Sequence, residues 1–521
     1  MSGIALRRRR EQAQRRRSIA GVLAAVGGGT ALGLAAPPTG WGVLVWVALV
    51  PLLVYLRAEH RPRAFWLGTL AGMVYYAILL RWLLGFHPLT WLGIEWWPSL
   101  AIALGAWLFV SASQAWVIGL WASLVVRTRL SGLRRVLFAV GLWVGLHWLW
   151  GQGETAFPWG TLAQSLAGDL WAVQTVALGG AQLLVGLAVA VNALVAESWS
   201  TRRVGYAGLA ALLAASVYLY GWWQLAQPLP AGEPLRMGVI QGNIAQARKW
   251  TPDGRRETVE TYVRGYEELA AAGAQLVLTP ETAFPFIWSR PTNPAAPLVP
   301  EIQSRRVPVL LSAFERRTDG QVATTLFALD GDARTISTFN KIHLVPFGEQ
   351  IPLKALIGPL VRKLSPVQQE VFAGSLGQRL QTPVGLVAAG ICFDSAFADG
   401  FRAQVAAGAR LLVQSTNDAW YGPAMAPQHH ALDALRAVET GRYLVRASNN
   451  GTSAVVDPLG RTTRITGWNV YAAFVEPVRL LEGMTLYALW GDWFVPLSAA
   501  LALLGLIAGR SPAGRRGRRN F

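Results

Sequence analysis

Three short stretches of the sequence carry side chains that could together activate a thiol. Cys392, the only cysteine in the chain, follows an apolar run, 384–389, that is typical of a buried strand. Glu281 also follows a predicted strand, and Lys341 lies in a loop with a second carboxylate, Glu349. A carboxylate can take the proton of a thiol, and an ammonium can stabilise the thiolate and the oxyanion of a tetrahedral intermediate. The set predicts a cysteine nucleophile, with Glu349 holding Lys341 charged and in position.

Each of these residues has a simpler interpretation when it is taken alone. A lone cysteine is most often a small buried hydrophobe. Glu281 and Lys341 would ordinarily be solvated surface charges, and Glu349 would anchor a loop. A single cysteine excludes an intramolecular disulfide, so the thiol remains free in an oxidising compartment. The catalytic interpretation therefore requires that the three stretches converge in the fold.

The rest of the chain is unusually apolar and predicts a membrane protein. Apolar residues make up 53% and charged residues 15%, with 24 Trp and a mean hydropathy of +0.33. Tryptophan favours the interface between lipid and water. Segments close to the ~20 residues that cross a bilayer occur at 19–36, 41–56, 64–85, 98–126, 136–150, 170–195, 204–223 and 487–509. We therefore expect seven transmembrane helices in a membrane domain, 19–225, and a final one at 487–509.

The distribution of arginine predicts the orientation of these helices. Arginine fills a basic tail, 1–18, and then alternate loops up to a second basic tail, 510–521. The intervening loops 37–40, 86–97 and 151–169 contain no Lys or Arg. This alternation places both termini in the cytoplasm and the large segment 230–484 outside it. It also accounts for most of the net charge of +18, so that charge does not indicate nucleic-acid binding.

The segment 230–484 has the composition of a soluble α/β domain. Its strands are predicted at 235–241, 275–279, 307–313, 322–329, 384–391 and 411–415, and its helices at 256–272 and 428–442. Strands that alternate with helices favour a layered α/β fold.

The three stretches resemble the Glu–Lys–Cys set of the nitrilase (carbon–nitrogen hydrolase) superfamily. With apolar segments on both sides, the whole chain resembles the apolipoprotein N-acyltransferase family, and further matches lie at 415–422, 428–442, 446–453 and 457–460. The resemblance implies an αββα sandwich as the catalytic domain. It implies Glu281 as base, Lys341 as oxyanion stabiliser, Cys392 as nucleophile, and Glu349 and Asp394 as supporting acids.

The resemblance also implies the reaction. A phospholipid would donate an acyl chain to Cys392 as a thioester, and the α-amine of a diacylglyceryl-cysteine at the N-terminus of a lipoprotein would then accept it. The enzyme would be a cofactor-free monomer in the bacterial cytoplasmic membrane. The chain departs from the family in the loop before Phe157-Pro158-Trp159, where the family usually carries an arginine and this sequence reads Gly151-Gln152-Gly153-Glu154.

Other residues near the three stretches allow two interpretations. Trp420 and Tyr421, with Asn417, Phe284 and Phe347, are candidates for a substrate pocket, and the aromatic residues could equally be core. The apolar loop 351–364 could be a lid at the membrane interface or an ordinary covered loop. The adjacent His429 and His430 would point about 100° apart on a helix, so we predict no metal site there.

Two other functions remain possible from the sequence. A membrane-tethered amidase could use the same Glu–Lys–Cys set with water as the acceptor, although one span would suffice as its tether. A transporter would place ionisable residues within the spans, where Arg81 and His147 are among the few candidates.

Overall fold

Apolar helices form the chain before residue 230. The computed structural model describes residues 3–57, 59, 61–288, 296–354 and 371–507. Its first helices, in chain order, are α1 Gly3–Ala35, α2 Val50–Leu56, α3 Arg61–Leu79, α4 Trp96–Thr128, α5 Leu133–Trp150, α6 Leu162–Ser165, α7 Leu170–Val173, α8 Val176–Thr201 and α9 Val204–Ala226. Short 3-10 helices at Gly42–Trp46, Leu80–Phe86 and Thr90–Leu92 connect them.

Five helices in the described part of the chain are long and apolar enough to cross a membrane. They are Glu11–Ala35, Pro62–Phe86, Trp96–Thr128, Val176–Thr201 and Val204–Ala226. The other three predicted segments correspond to shorter helices, at Gly42–Leu56, Leu133–Trp150 and Phe494–Ile507. The chain thus has a multi-helix membrane domain, whereas the count of seven spans before residue 230 stays a prediction.

Small residues allow close packing between the long helices. A Cβ on Gly72 of α3 would lie 2.8 Å from the Cα of Ala115 in α4, so glycine permits the two backbones to approach. Within α8, Gly180 has a φ of +69°, and a Cβ there would lie 2.4 Å from the ring of Tyr487. The backbone of α8 is therefore broken at this point.

The following segment forms two β-sheets. The strands are β1 Glu233–Gln241, β2 Leu276–Leu278, β3 Phe284–Ile287, β4 Val309–Arg316, β5 Val322–Leu329, β6 Thr335–Asn340, β7 Leu380–Thr382, β8 Gly385–Ile391, β9 Leu412–Thr416, β10 Leu444–Ser448, β11 Ala454–Val456, β12 Thr462–Ile465 and β13 Ala472–Leu480. The first sheet has the order β13-β1-β2-β4-β5-β6, with β3 beside β4. The second has the order β12-β11-β10-β9-β8-β7.

The centre of each sheet is parallel. In the first sheet β1, β2 and β4 run in the same direction, and in the second sheet β8, β9 and β10 do so. Because β6 is antiparallel to β5 and β5 is antiparallel to β4, β6 also runs in the direction of β4. The carboxyl ends of β2, β4 and β6 therefore lie at the same end of the first sheet.

Helices cover the outer face of each sheet. They are α11 Pro252–Ala271 and α12 Leu298–Arg305 on the first sheet, and α13 Asp399–Ala406 and α14 Met425–Thr440 on the second, and the short α10 Gln246–Lys249 precedes and contacts α11. Between the sheets, Met237 and Leu278 share a core with Ala389 and Val413. The predicted αββα sandwich is confirmed.

The sandwich packs directly on the membrane helices through α14. On one face of α14, Leu432 and Leu435 belong to the same apolar core as Leu79 and Trp159 of the membrane domain. On the other face, Ala434 and Ala437 pack on the second sheet. Glu439 adds a polar contact, because its Oε1 accepts a hydrogen bond of 2.9 Å from Ala181 N at the break in α8. The chain then returns to the membrane domain through α15 Leu486–Trp490 and α16 Phe494–Ile507.

Candidate active site

The predicted site residues lie at the carboxyl ends of strands. Glu281 lies in a turn, separated from β2 by two residues, Lys341 follows β6 directly, and Cys392 follows β8 directly and begins a 3-10 helix, Cys392–Ala396. The common direction of β2 and β6 accounts for the meeting of Glu281 and Lys341. Stacking of the second sheet on the first brings Cys392 to the same place.

Lys341 is the centre of a buried ionic group. Its Nζ lies 3.0 Å from Glu281 Oε1 and 2.8 Å from Glu349 Oε1, and the side chain is 1% exposed. Burial alone would lower the pKa of Lys341, but Glu281 and Glu349 outweigh it and hold the pKa well above its ordinary value. Burial and the charge of Glu281 raise the pKa of Glu349. Lys341 is therefore a fixed cation.

Cys392 has an unusual backbone for a non-glycine residue. Its φ is +48°, in the left-handed region, which costs about 1–3 kcal/mol. Two side chains bind its carbonyl oxygen: Gln414 Nε2 donates at 2.6 Å, and His429 Nε2 lies at 3.0 Å. The conformation is thus maintained by surrounding hydrogen bonds.

The thiol of Cys392 is protonated in the resting site. Burial raises its pKa, the charge of Glu281 raises it further, and Lys341 and Thr416 oppose these effects only in part. Cys392 is 6% exposed and contributes to the core between the sheets, as a small hydrophobe would. Its backbone and its electrostatic interaction with Lys341 distinguish it from an ordinary core residue.

Asp394 joins the Cys392 turn to the Lys341 loop. Its Oδ2 accepts a hydrogen bond from Ile391 N at 3.0 Å, and its Oδ1 accepts one from His343 N at 2.7 Å. The ring of His343 also binds this carboxylate, at 3.1 Å, and stacks on Phe397 with the ring centres 3.8 Å apart. Asp394 therefore fixes the relative positions of two elements that carry candidate catalytic groups.

Three of the predicted pocket aromatics lie at the junction with the membrane domain. Trp420 is 37% exposed, and the centre of its ring lies 5.3 Å from that of Trp91. Phe347 is 39% exposed, and its ring centre lies 6.4 Å from that of Phe109. The ring centre of Tyr421 lies 4.8 Å from that of Trp82 and 5.2 Å from that of Phe86.

Two other predicted pocket residues have structural contacts. Phe284 is fully buried beneath α11, with its ring 5.5 Å from that of Tyr262, so the structure places it in the outer core and not in a pocket. Asn417 caps the 3-10 helix Asp418–Trp420 and donates to Gln246 Oε1 at 3.1 Å. Its amide is occupied by these local contacts.

Comparison with known proteins covers both parts of the chain. The model of the carbon-nitrogen hydrolase family matches residues 236–472, and that of the apolipoprotein N-acyltransferase N-terminal domain matches residues 28–194. A protein named apolipoprotein N-acyltransferase from Nostoc sp. is 36% identical over 487 residues, which cover 91% of this chain and 96% of the relative. The chain belongs to the apolipoprotein N-acyltransferase family. The member from Synechocystis sp. is 33% identical, over 89% of this chain and 96% of its own length.

Solved structures similar to this family member come from the nitrilase superfamily. Nit3 of Saccharomyces cerevisiae is 15% identical with a TM-score of 0.37, over 57% of this chain and all of the other. The NitN amidase is 19% identical with a TM-score of 0.37, over 50% of this chain and 98% of the amidase.

Glu154 lies in the loop where the sequence predicts a departure from the family, and it contacts a neighbouring loop. Glu154 Oε2 accepts a hydrogen bond of 3.0 Å from Leu353 N, and Glu154 O accepts one of 3.4 Å from Gln350 Nε2. A loop of the membrane domain therefore contacts the start of the predicted lid, 351–364. Residues 355–370 lie outside the described part of the chain, so the lid stays a prediction.

The sequence did not indicate that Lys249 belongs to this site. Lys249 is buried and donates to Glu281 O at 3.3 Å and to Thr282 Oγ1 at 2.8 Å, and burial lowers its pKa to about 7. It lies in a polar stretch where a lysine is ordinarily solvated, so no sequence signal distinguishes it. His429 is bonded to Asp418, and His430 is bonded to Thr462, so the two rings have separate partners.

Proposed function

We propose that this protein N-acylates the N-terminal diacylglyceryl-cysteine of lipoproteins with an acyl chain from a phospholipid, through a thioester on Cys392. Family membership supports the reaction. The buried contact of 3.0 Å between Lys341 Nζ and Glu281 Oε1, beside Cys392, is the observation that carries the catalytic assignment. Direct packing of the sandwich on the membrane helices supports a lipid substrate.

In the first step, Glu281 accepts the proton of the Cys392 thiol as the sulfur attacks the ester carbonyl carbon of the phospholipid. The ammonium of Lys341 stabilises the oxyanion of the tetrahedral intermediate. Collapse of the intermediate breaks the ester C–O bond. Glu281 returns the proton to the leaving glycerol oxygen, and a lysophospholipid departs.

In the second step, the α-amine of the acceptor attacks the thioester carbon. Glu281 takes a proton from the attacking amine, and Lys341 again faces the oxyanion. The C–S bond then breaks, an amide forms, and the proton on Glu281 returns to the thiolate. A junction lined by Trp420, Phe347 and Tyr421 is suited to acyl chains, because these rings extend the apolar surface of the membrane helices to the site.

Mass spectrometry of the intact protein tests the first step. After incubation with phospholipid vesicles, wild-type protein should gain the mass of one acyl chain on Cys392, and Cys392→Ala should gain none. Addition of a diacylglyceryl peptide should release the chain as an amide. An unmodified thiol in folded wild type would contradict the mechanism, and free fatty acid without N-acylated peptide would favour the amidase-like alternative.

We also propose that the sandwich lies outside the cytoplasm and that both termini lie inside it. A cationic cluster supports this orientation: Arg57 and Arg135 bind the buried carboxylate of Glu197 at 2.8 and 2.9 Å. Glu197 lies on α8 roughly 24 Å from Ala181, where α8 contacts the sandwich, at 1.5 Å rise per residue. Reporter fusions to each terminus and to the loop near residue 130 test the topology, and an extracytoplasmic terminus would contradict it.

A further inference from the structure

The amide of Gln428, at the start of α14, is bonded entirely to the membrane domain. Its Oε1 accepts from Trp82 Nε1 at 3.1 Å and from Trp159 Nε1 at 2.8 Å. Its Nε2 donates to Pro37 O and Leu79 O, both at 2.9 Å. A primary amide has two acceptor and two donor positions, and all four are used. Gln428 therefore has one defined position, set by the membrane domain.

His429, the next residue, faces two hydrogen-bond acceptors. Its Nδ1 lies 2.9 Å from Asp418 Oδ1, and its Nε2 lies 3.0 Å from Cys392 O. Arg446 also binds Asp418, at 2.5 Å, and its guanidinium holds the pKa of Asp418 well below its usual range despite burial. A carbonyl oxygen and an ionised carboxylate only accept, so a ring with hydrogen on both nitrogens satisfies both contacts.

The His429 ring is fully buried among charged groups. His429 and Arg446 oppose Asp418 and Asp433, and the Arg446–Asp433 distance is 2.7 Å. Ion pairing of this kind offsets the free-energy cost of burying each charge. Loss of one partner would leave the remaining charges buried without that compensation. The His429 ring is therefore fixed in place, with its Nε2–H directed at the carbonyl of Cys392.

We propose that Gln428 and His429 couple the packing of the sandwich on the membrane domain to the backbone conformation of Cys392. Gln428 is set by the membrane domain, His429 follows it on the same helix, and the imidazolium holds the Cys392 carbonyl and with it the left-handed turn that presents the thiol. His429 is a positioning residue. The proposal rests on the proposed role of Cys392 as the nucleophile.

Two substitutions of His429 separate the bond to Cys392 from the bond to Asp418. In His429→Gln the amide nitrogen can occupy the place of Nε2 and keep the bond to Cys392 O. In His429→Asn it can occupy the place of Nδ1 and keep only the contact with Asp418. The rate of alkylation of Cys392 by iodoacetamide, in full-length protein in detergent, needs no lipid. We expect His429→Asn to react about tenfold slower or more than wild type, and His429→Gln to react within about threefold of it.

The neighbouring His430 provides the matched control, because its Nε2 binds Thr462 and not the Cys392 turn. His430→Asn should alkylate at the wild-type rate. Equal rates for His429→Asn and His429→Gln, at equal melting temperatures, would overturn the positioning role.

Gln428→Leu tests the link to the membrane domain. It should slow alkylation about tenfold, because the amide that fixes the start of α14 is lost. Gln174→Leu is the control: Gln174 Nε2 also donates a hydrogen bond across the junction, to Leu459 O at 2.8 Å, and in the described part of the chain neither residue is hydrogen-bonded to the Cys392 turn. If Gln428→Leu is alkylated at the wild-type rate, the packing of the sandwich on the membrane domain does not affect the nucleophile.

The wild-type protein tests the protonation of His429 without any substitution. In protein labelled with ¹⁵N-histidine, the signals that His429→Gln removes should belong to a ring with two N–H groups. A neutral tautomer would overturn the proposal. A failure of the proposed function has a different result: wild type would alkylate and yet form no acyl-enzyme with phospholipid.

Discussion

Asp394 Oδ1 lies 2.7 Å from the backbone nitrogen of His343, so a carboxylate two residues after Cys392 fixes the loop that begins at Lys341. The same side chain accepts from Ile391 N, on the strand before Cys392. A single carboxylate therefore sets the distance between a candidate nucleophile and a candidate oxyanion stabiliser. Replacement of Asp394 by a longer or an uncharged side chain should therefore lower the activity of a protein that still folds.

Asp394→Asn should slow formation of the acyl-enzyme about tenfold to a hundredfold, because an amide cannot accept from both backbone segments and the His343 ring. Stopped incubation with phospholipid followed by mass spectrometry measures the rate. Asp399→Asn is the control, since Asp399 also faces His343, at 3.5 Å, but does not bind the Cys392 turn. Equal slowing by both substitutions would assign the effect to His343 alone.

Lys341→Met should abolish acyl transfer and destabilise the protein by about 3–5 kcal/mol, because two buried carboxylates lose their shared cation. Adding Glu349→Gln should recover part of the stability and none of the activity, since the oxyanion still lacks its partner. Thermal unfolding in detergent and the acyl-enzyme assay measure the two effects. Activity above that of Cys392→Ala in either variant would contradict the role of Lys341.

The stability of the protein should depend on pH through His343. Burial alone would lower its pKa, but Asp394 and Asp399 raise it to about 9, above the ordinary value of 6.5. The stabilisation, about 3 kcal/mol, is complete below pH 6.5 and is lost as the pH rises through about 9. The difference in melting temperature between wild type and His343→Gln should therefore shrink from pH 6.5 to pH 10. A constant difference would indicate that His343 is neutral in the folded protein.

Lys249→Met should slow acyl-enzyme formation about tenfold, because Lys249 bonds the backbone oxygen of Glu281 and the hydroxyl of Thr282, whose φ is +46°. Loss of these bonds would release the turn that aims the base. Arg248→Met is the matched control, since Arg248 is exposed and pairs with Glu257 at the surface. If Lys249→Met reacts at the rate of Arg248→Met, the turn is held by other contacts.

The sequence predicted the layers of the sandwich because most of its central strands are buried and apolar. All six predicted strands are present, and Val322–Leu329 has the predicted ends. Other strands escaped prediction: the central strand Leu444–Ser448 carries Arg446 within its short apolar run, and Thr462–Ile465 is exposed along its whole length. The break in α8 was also missed, because the segment remains apolar across Gly179 and Gly180.

For the site, the sequence supplied side chains whose chemistry is visible from residue type. Glu281, Lys341 and Glu349 meet as predicted, although their catalytic roles stay a proposal. The sequence could not supply residues whose importance depends on burial. Lys249 and His429 are ordinary polar residues in the sequence. Only the packing of α10 and α14 buries them and gives each one a defined set of hydrogen-bond partners. Phe284 was among the predicted pocket residues, but strand alternation turns its ring to the outer core.

The two faces of α14 determine how the molecule can be divided. Removal of the helices before residue 230 would expose Leu432, Leu435 and Val438 to water and would leave the amide of Gln428 without its partners. A truncated 230–484 fragment should therefore be poorly soluble even if both sheets form. The membrane helices thus complete the apolar core on one side of the sandwich, and a single transmembrane anchor cannot replace them.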